Sequence, residues 1–151
     1  MAKLKQLAGP ALLKEFQNQW NNYLILSKWM AKLFTYLDRY FLKFSNLDST
    51  TLSALKFFKE MVFDKLKEPL VGSVLEEIRK WRDGDDVDWE ALHFVIESFI
   101  TIGITKNASI VRGTAGSGSY RWDGEQNLNE YDSLFEKRFI AETKEYYRVK
   151  C

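Results

Sequence analysis

His93 is the only histidine in this chain, and Cys151, the final residue, is its only cysteine. A zinc centre needs several His, Cys or carboxylate ligands converging on one point. This pair supplies no ordinary set, so neither a metal nor a cofactor is expected. His93 falls on a helical stretch beside apolar neighbours, without a partner to tune it, and reads as structural. The acidic run Asp83 to Asp88 lacks the spacing and closing glutamate of a calcium loop and reads as a turn followed by a helix cap. Gly113-Thr114-Ala115-Gly116-Ser117-Gly118-Ser119 resembles a phosphate loop only in glycine content. No Gly-Lys-Ser/Thr follows it and no strand is expected before it, which leaves a flexible linker. Asn107-Ala108-Ser109 fits a glycosylation acceptor but carries little meaning without a secretory signal. These residues point away from catalysis, and the chain is not expected to be an enzyme.

The elements that would carry any other function are helical. Gly9-Pro10 marks a helix entry, and no glycine or proline interrupts the chain from Ala11 to about Phe44. Leu12, Leu13, Phe16, Trp20, Tyr23, Leu24, Leu26 and Ser27 keep a spacing of three to four. One long helix is predicted, with a kink near Asn21-Asn22, which are poor helix formers. Asp48 or Ser49 can cap the next helix, which runs to Lys67 with Leu52, Leu55, either Phe57 or Phe58, Val62 and Leu66 inward. Pro69 then restarts the chain for a helix from Leu70 to Arg82 carrying Leu70, Val74, Leu75, Ile78 and Trp81. Asp88 caps a further helix to about Thr101, closed by Gly103. Residues 105–128 hold Gly113, Gly116, Gly118 and Gly124 and are expected to form a flexible, largely disordered insertion loop. Asn129 to Lys150 forms a last helix. No useful strand alternation is evident, and the expected class is an all-α helical bundle in a single domain, 1–151.

Trp29 to Lys43, WMAKLFTYLDRYFLK, is the densest aromatic stretch of that helical frame. At about 100° per residue, Met30, Leu33, Phe34, Leu37 and Phe41 share one apolar stripe suited to a core. Trp29, Lys32, Tyr36, Arg39, Tyr40 and Lys43 share the other side. Aromatic bodies with polar tips beside long cations are the make-up of interface anchors. The residues alone also describe a helix packed on both faces between neighbours, and they favour that account.

Composition narrows the classes further. Hydrophobic residues at 46% and charged residues at 28% fit a folded domain rather than a disordered one. The net charge of +1 lacks the basic bias of a nucleic-acid binder. The N-terminus has no apolar signal region, and no apolar run approaches the roughly 20 residues that span a bilayer. The location expected is therefore the cytoplasm, the nucleus or both.

Five stretches, in order, carry a resemblance to a known family. They are LLKEFQNQWNNY (Leu12 to Tyr23), FTYLDRYFL (Phe34 to Leu42), FKEMVFDKLKEPL (Phe58 to Leu70), IRKWRDGDDVDWEALHFVIESFITIG (Ile78 to Gly103) and YDSLFEKRFIAETKEYY (Tyr131 to Tyr147). Each is weak alone; in register they resemble the N-terminal repeat region of a cullin, the scaffold of RING-type ubiquitin ligases. The resemblance implies stacked helical cullin repeats with no chemistry of their own. It also implies a tip that binds a substrate adaptor of BTB-like fold, and it carries the family's contact tyrosine and arginine onto Tyr36 and Arg39. Lys32, Tyr40 and Lys43 join them by helical geometry.

The second adaptor-contacting helix of the family lies upstream, and nothing before Leu12 matches it. The half that holds the RING subunit is not matched either. The chain thus resembles a piece of a cullin or a truncated cullin-like protein, and apolar surface left uncovered would promote self-association. The competing expectation is an amphipathic helical protein that binds membrane surfaces or unrelated proteins, against which the balanced charge argues.

Overall fold

The computed structural model describes residues 4, 6–42, 44, 45, 47–112 and 120–151. Gly9-Pro10 opens helix α1 (Gly9–Leu33), whose buried side is Leu12, Leu13, Phe16, Trp20, Leu24 and Ser27. This spacing of three to four residues is that of a helix laid against a core. The helix runs unbroken through Asn21 and Asn22, whose side chains face solvent. The interruption falls at Phe34 instead. There Thr35 Oγ1 donates to the Ala31 carbonyl at 2.9 Å, a back-bond of the kind that bends helices, and helix α2 (Thr35–Phe41) follows.

Ser49 caps α3 (Thr50–Phe58), its Oγ accepting from the Leu52 N–H at 3.2 Å. A π turn, Lys59–Phe63, leads directly into α4 (Asp64–Arg82). The sequence predicted a break at Pro69, yet the proline sits inside α4. An internal proline costs about 3 kcal/mol. Leu66, Leu70, Val71 and Val74 around it are fully buried, at about 1.5–3 kcal/mol each, and this outweighs the penalty. Asp88 caps α5 (Trp89–Thr101) by accepting from the Ala91 N–H at 3.1 Å.

Gly103 is needed for a different reason from the one expected. The residue that ends α5 is Ile102, in right-handed conformation. A Cβ on Gly103 would stand 2.3 Å from the Asn127 carbonyl oxygen, and the Asn127 N–H donates to the Gly103 carbonyl at 2.7 Å. Two backbones meet there with no room for a side chain.

The segment expected as a flexible loop over 105–128 departs most from the sequence reading. It holds an antiparallel hairpin of β1 (Ile104–Arg112) and β2 (Tyr120–Gln126), with Ile110 opposite Trp122 and Arg112 opposite Tyr120. The glycine-rich run 113–119 lies outside the described residues. Ile104, Thr105, Ile110, Val111, Tyr120 and Trp122 are residue types that suit a half-buried pleat. The register is irregular between Ile104 and Lys106 and again between Lys106 and Ser109, and Asn107 between them has a φ of 52°. Bulges of this kind displace the in–out alternation, which hides the strand from a period-two reading. Trp122 is buried; β1 packs on α3, and β2 packs on α1 and α5.

The chain closes with a short helix α6 (Asn129–Tyr131), a second π turn, Asp132–Glu136, and α7 (Lys137–Lys150). α7 is fastened to α4 by polar contacts. Arg138 Nη1 reaches Glu68 Oε2 at 2.6 Å, and Arg82 Nη2 donates to Thr143 Oγ1 at 2.7 Å.

α1 is the element around which α3, α4, α5 and β2 assemble. Phe58 stands among Phe16, Trp20 and Tyr23, with ring centroids at 6.2, 5.1 and 4.9 Å. A second aromatic row joins Phe63 to Phe99, Phe99 to Phe135 and Phe135 to Phe139 at 5.7, 5.8 and 5.6 Å. The body is all-α, as the sequence implied, and the hairpin is added to its side.

Candidate functional site

The buried side of α1 stops at Ser27, and α2 has no buried residue. From Lys28 to Phe41 the chain spans about 21 Å at 1.5 Å per helical residue. None of the residues along this length is buried. Met30, Leu33, Phe34, Leu37 and Phe41, predicted as a core stripe, are therefore exposed, Leu33 at 77% and Phe41 at 64%. Their spacing is right for a core, but the covering neighbour assumed in that reading is not found among the described residues.

The opposite side holds the predicted contact residues. Tyr36 is 69% and Tyr40 51% exposed, and their rings pair with centroids 4.6 Å apart. Lys32 Nζ sits 4.8 Å from the centre of the exposed Trp29 ring, in cation–π range. Arg39 is exposed on the same helix, while Lys43 lies outside the described residues. Asp38 fixes the face in place. Its carboxylate accepts from the Thr50 N–H at 3.2 and 3.3 Å and from the Thr50 hydroxyl at 2.9 Å, tying α2 to the first turn of α3.

Sequence reasoning missed the neighbours of this face. Lys28 Nζ lies 3.4 Å from the centre of the Tyr120 ring at the far end of the hairpin. Contact with Lys28 and its charge lower the Tyr120 pKa, and the charges of Arg112 and Lys32 add to the effect. The available signal was the β-forming residues on either side of the glycine-rich run, a pattern that marks a hairpin.

Among the described residues no three His, Cys, Asp or Glu side chains gather as metal ligands. His93 faces solvent, with its Nδ1 3.8 Å from Glu97 Oε1, rather than packing among apolar neighbours. No described helix is long and apolar enough to cross a membrane.

Successive helices packed side by side, with amphipathic surface at an uncovered end, define an α-solenoid type of protein. The chain belongs to the cullin family: the family model described as the cullin alpha solenoid domain matches residues 1–151. It is 28% identical over 105 residues to Cullin-1 of Oryza sativa subsp. japonica, covering 70% of this chain and 14% of that protein. Similarity to Cullin-1 of Caenorhabditis elegans is 26% over 148 residues, covering 94% and 18% respectively. Cullin-like protein 3 of Arabidopsis thaliana is 25% identical over 151 residues, covering 100% of this chain and 51% of the relative. The chain thus spans a seventh to a half of the length of these relatives.

Proposed function

We propose that this chain is a non-catalytic scaffold segment of a cullin–RING ubiquitin ligase, acting in the cytoplasm, the nucleus or both. It contributes to binding a substrate adaptor of BTB-like fold. The contact face is Trp29, Lys32, Tyr36, Arg39 and Tyr40, with Lys43 continuing it in sequence. Family membership supports the scaffold role. The observation that carries the site is the exposed α1–α2 end, which presents paired tyrosines and long cations to solvent while Asp38 holds the helix against α3. Tyr, Trp and Arg are the residue types that dominate binding hot spots. Contact with a RING subunit is not assigned to these residues.

Titration of the purified chain against recombinant BTB-fold adaptors tests the site. Tyr36→Ala should weaken binding by about 1–3 kcal/mol, and Tyr147→Ala, exposed far along the sequence on α7, should leave it unchanged. Equal affinities for wild type and Tyr36→Ala would remove the face from consideration. The competing membrane-surface role predicts co-sedimentation with anionic vesicles, and its absence would leave the adaptor reading alone.

A further inference from the structure

The hairpin's far end is seated beside the proposed adaptor face. Lys28 and Lys32 follow one another four residues apart on α1, and beyond the Phe34 interruption Tyr36 and Tyr40 do so on α2. Tyr120 of β2 lies over Lys28, the first of these, and Arg112 of β1 is paired with Tyr120 across the strands. The hairpin therefore continues the same surface from the side of α1.

The charge on that surface is one-sided. From Phe16 to Leu47 the sequence holds a single acidic residue, Asp38, against Lys28, Lys32, Arg39 and Lys43. Asp38 is already engaged with Thr50. Among the described residues, Lys28, Lys32, Arg39 and Arg112 are absent from the ion pairs, which join other groups such as Lys14 with Asp88 and Arg138 with Glu68. The chain as a whole is nearly neutral at +1, so the basic character is local.

We infer that the hairpin is a second contact element of the adaptor site, in which Arg112 extends the Lys32–Tyr36–Tyr40 face and selects an adaptor presenting aspartate or glutamate side chains beside its apolar contact. This rests on the adaptor reading above. Arg112 is at the edge of the surface and exposed, where a charge acts mainly on association rate and salt dependence. Tyr120 lies over Lys28, with the hairpin packed beside α1.

The test follows association of the full chain with a purified recombinant BTB-fold adaptor at two salt concentrations, comparing wild type, Arg112→Glu, Lys106→Glu and Tyr36→Ala. Circular dichroism of each variant establishes that the helices are intact. Lys106 is exposed on β1, nearer the hairpin base, and controls for charge reversal as such. Arg112→Glu should slow association roughly tenfold at low salt, with the deficit shrinking as salt rises. Lys106→Glu should change it less than about twofold by the same screening argument. A loss on Tyr36→Ala without one on Arg112→Glu would overturn the hairpin's role and keep the helix face. Faster association on Arg112→Glu would also overturn it, and failure of the wild-type chain to bind would overturn both readings.

Discussion

Phe57 and Phe58 are adjacent and chemically identical, and helical spacing alone does not say which one faces inward. The structure buries Phe58 among three aromatic rings of α1 and leaves Phe57 57% exposed. Removing a buried phenylalanine costs about 3–5 kcal/mol through lost transfer energy and the cavity left behind. Phe58→Ala should lose that amount in urea denaturation, whereas Phe57→Ala should stay within about 0.5 kcal/mol, as surface substitutions do. Similar losses at both positions would contradict the assigned rotation of α3. The grouping of Lys32, Tyr36, Arg39 and Tyr40 on one helical side was legible at this scale because spacing can be counted from the sequence, while their assignment as contacts came from the family resemblance. Arg112 and Tyr120 were not legible, because their closeness to Lys28 depends on a strand pairing and not on spacing along one element.

Caps and breaks decide the elements, and the sequence showed some of them. Asp88, and Ser49 as one of two candidates with Asp48, were readable because a short polar side chain before an apolar run is a local signal. The Phe34 interruption, the two bulges of β1 and the retention of Pro69 inside α4 depend on bonding and burial that local patterns do not contain. Asp88 offers a test. Its bond from the Ala91 N–H, and then the nearby Lys14, hold its pKa below the ordinary aspartate value. A carboxylate whose folded pKa is depressed contributes stability above its unfolded pKa of about 3.9, and that contribution is lost as pH falls through the folded value. Asp88→Ala should cost about 1 kcal/mol near neutral pH. The difference from wild type should narrow as pH drops below about 4, measured by urea denaturation across pH. A gap that stays constant down to the most acidic condition would refute this account of the cap.

For the molecule as a whole, one end of the longest helix carries much of the exposed apolar surface. Periodicity showed that Met30, Leu33, Phe34, Leu37 and Phe41 form a stripe, but no property of a helix reports whether a neighbour covers it. Surface of this kind draws in partners or copies of the same chain. Sedimentation velocity should show concentration-dependent self-association, and the double variant Leu33→Glu, Phe41→Glu should remain monomeric. A wild-type chain that stays monomeric at high concentration would contradict this expectation. The π turns bear on the same body from inside. Lys59–Phe63 and Asp132–Glu136 each place one buried phenylalanine, Phe63 and Phe135, against Phe99 of α5. A π turn takes up an extra residue relative to an α turn, so each resets the angular phase of everything downstream by about 100°. In these two segments residue number, and not residue type alone, keeps the aromatic row in line: deleting one residue other than the phenylalanine inside a π turn would let it close as an α turn with α4 or α7 still in phase, whereas the same deletion in an ordinary α turn would rotate everything downstream by about 100°.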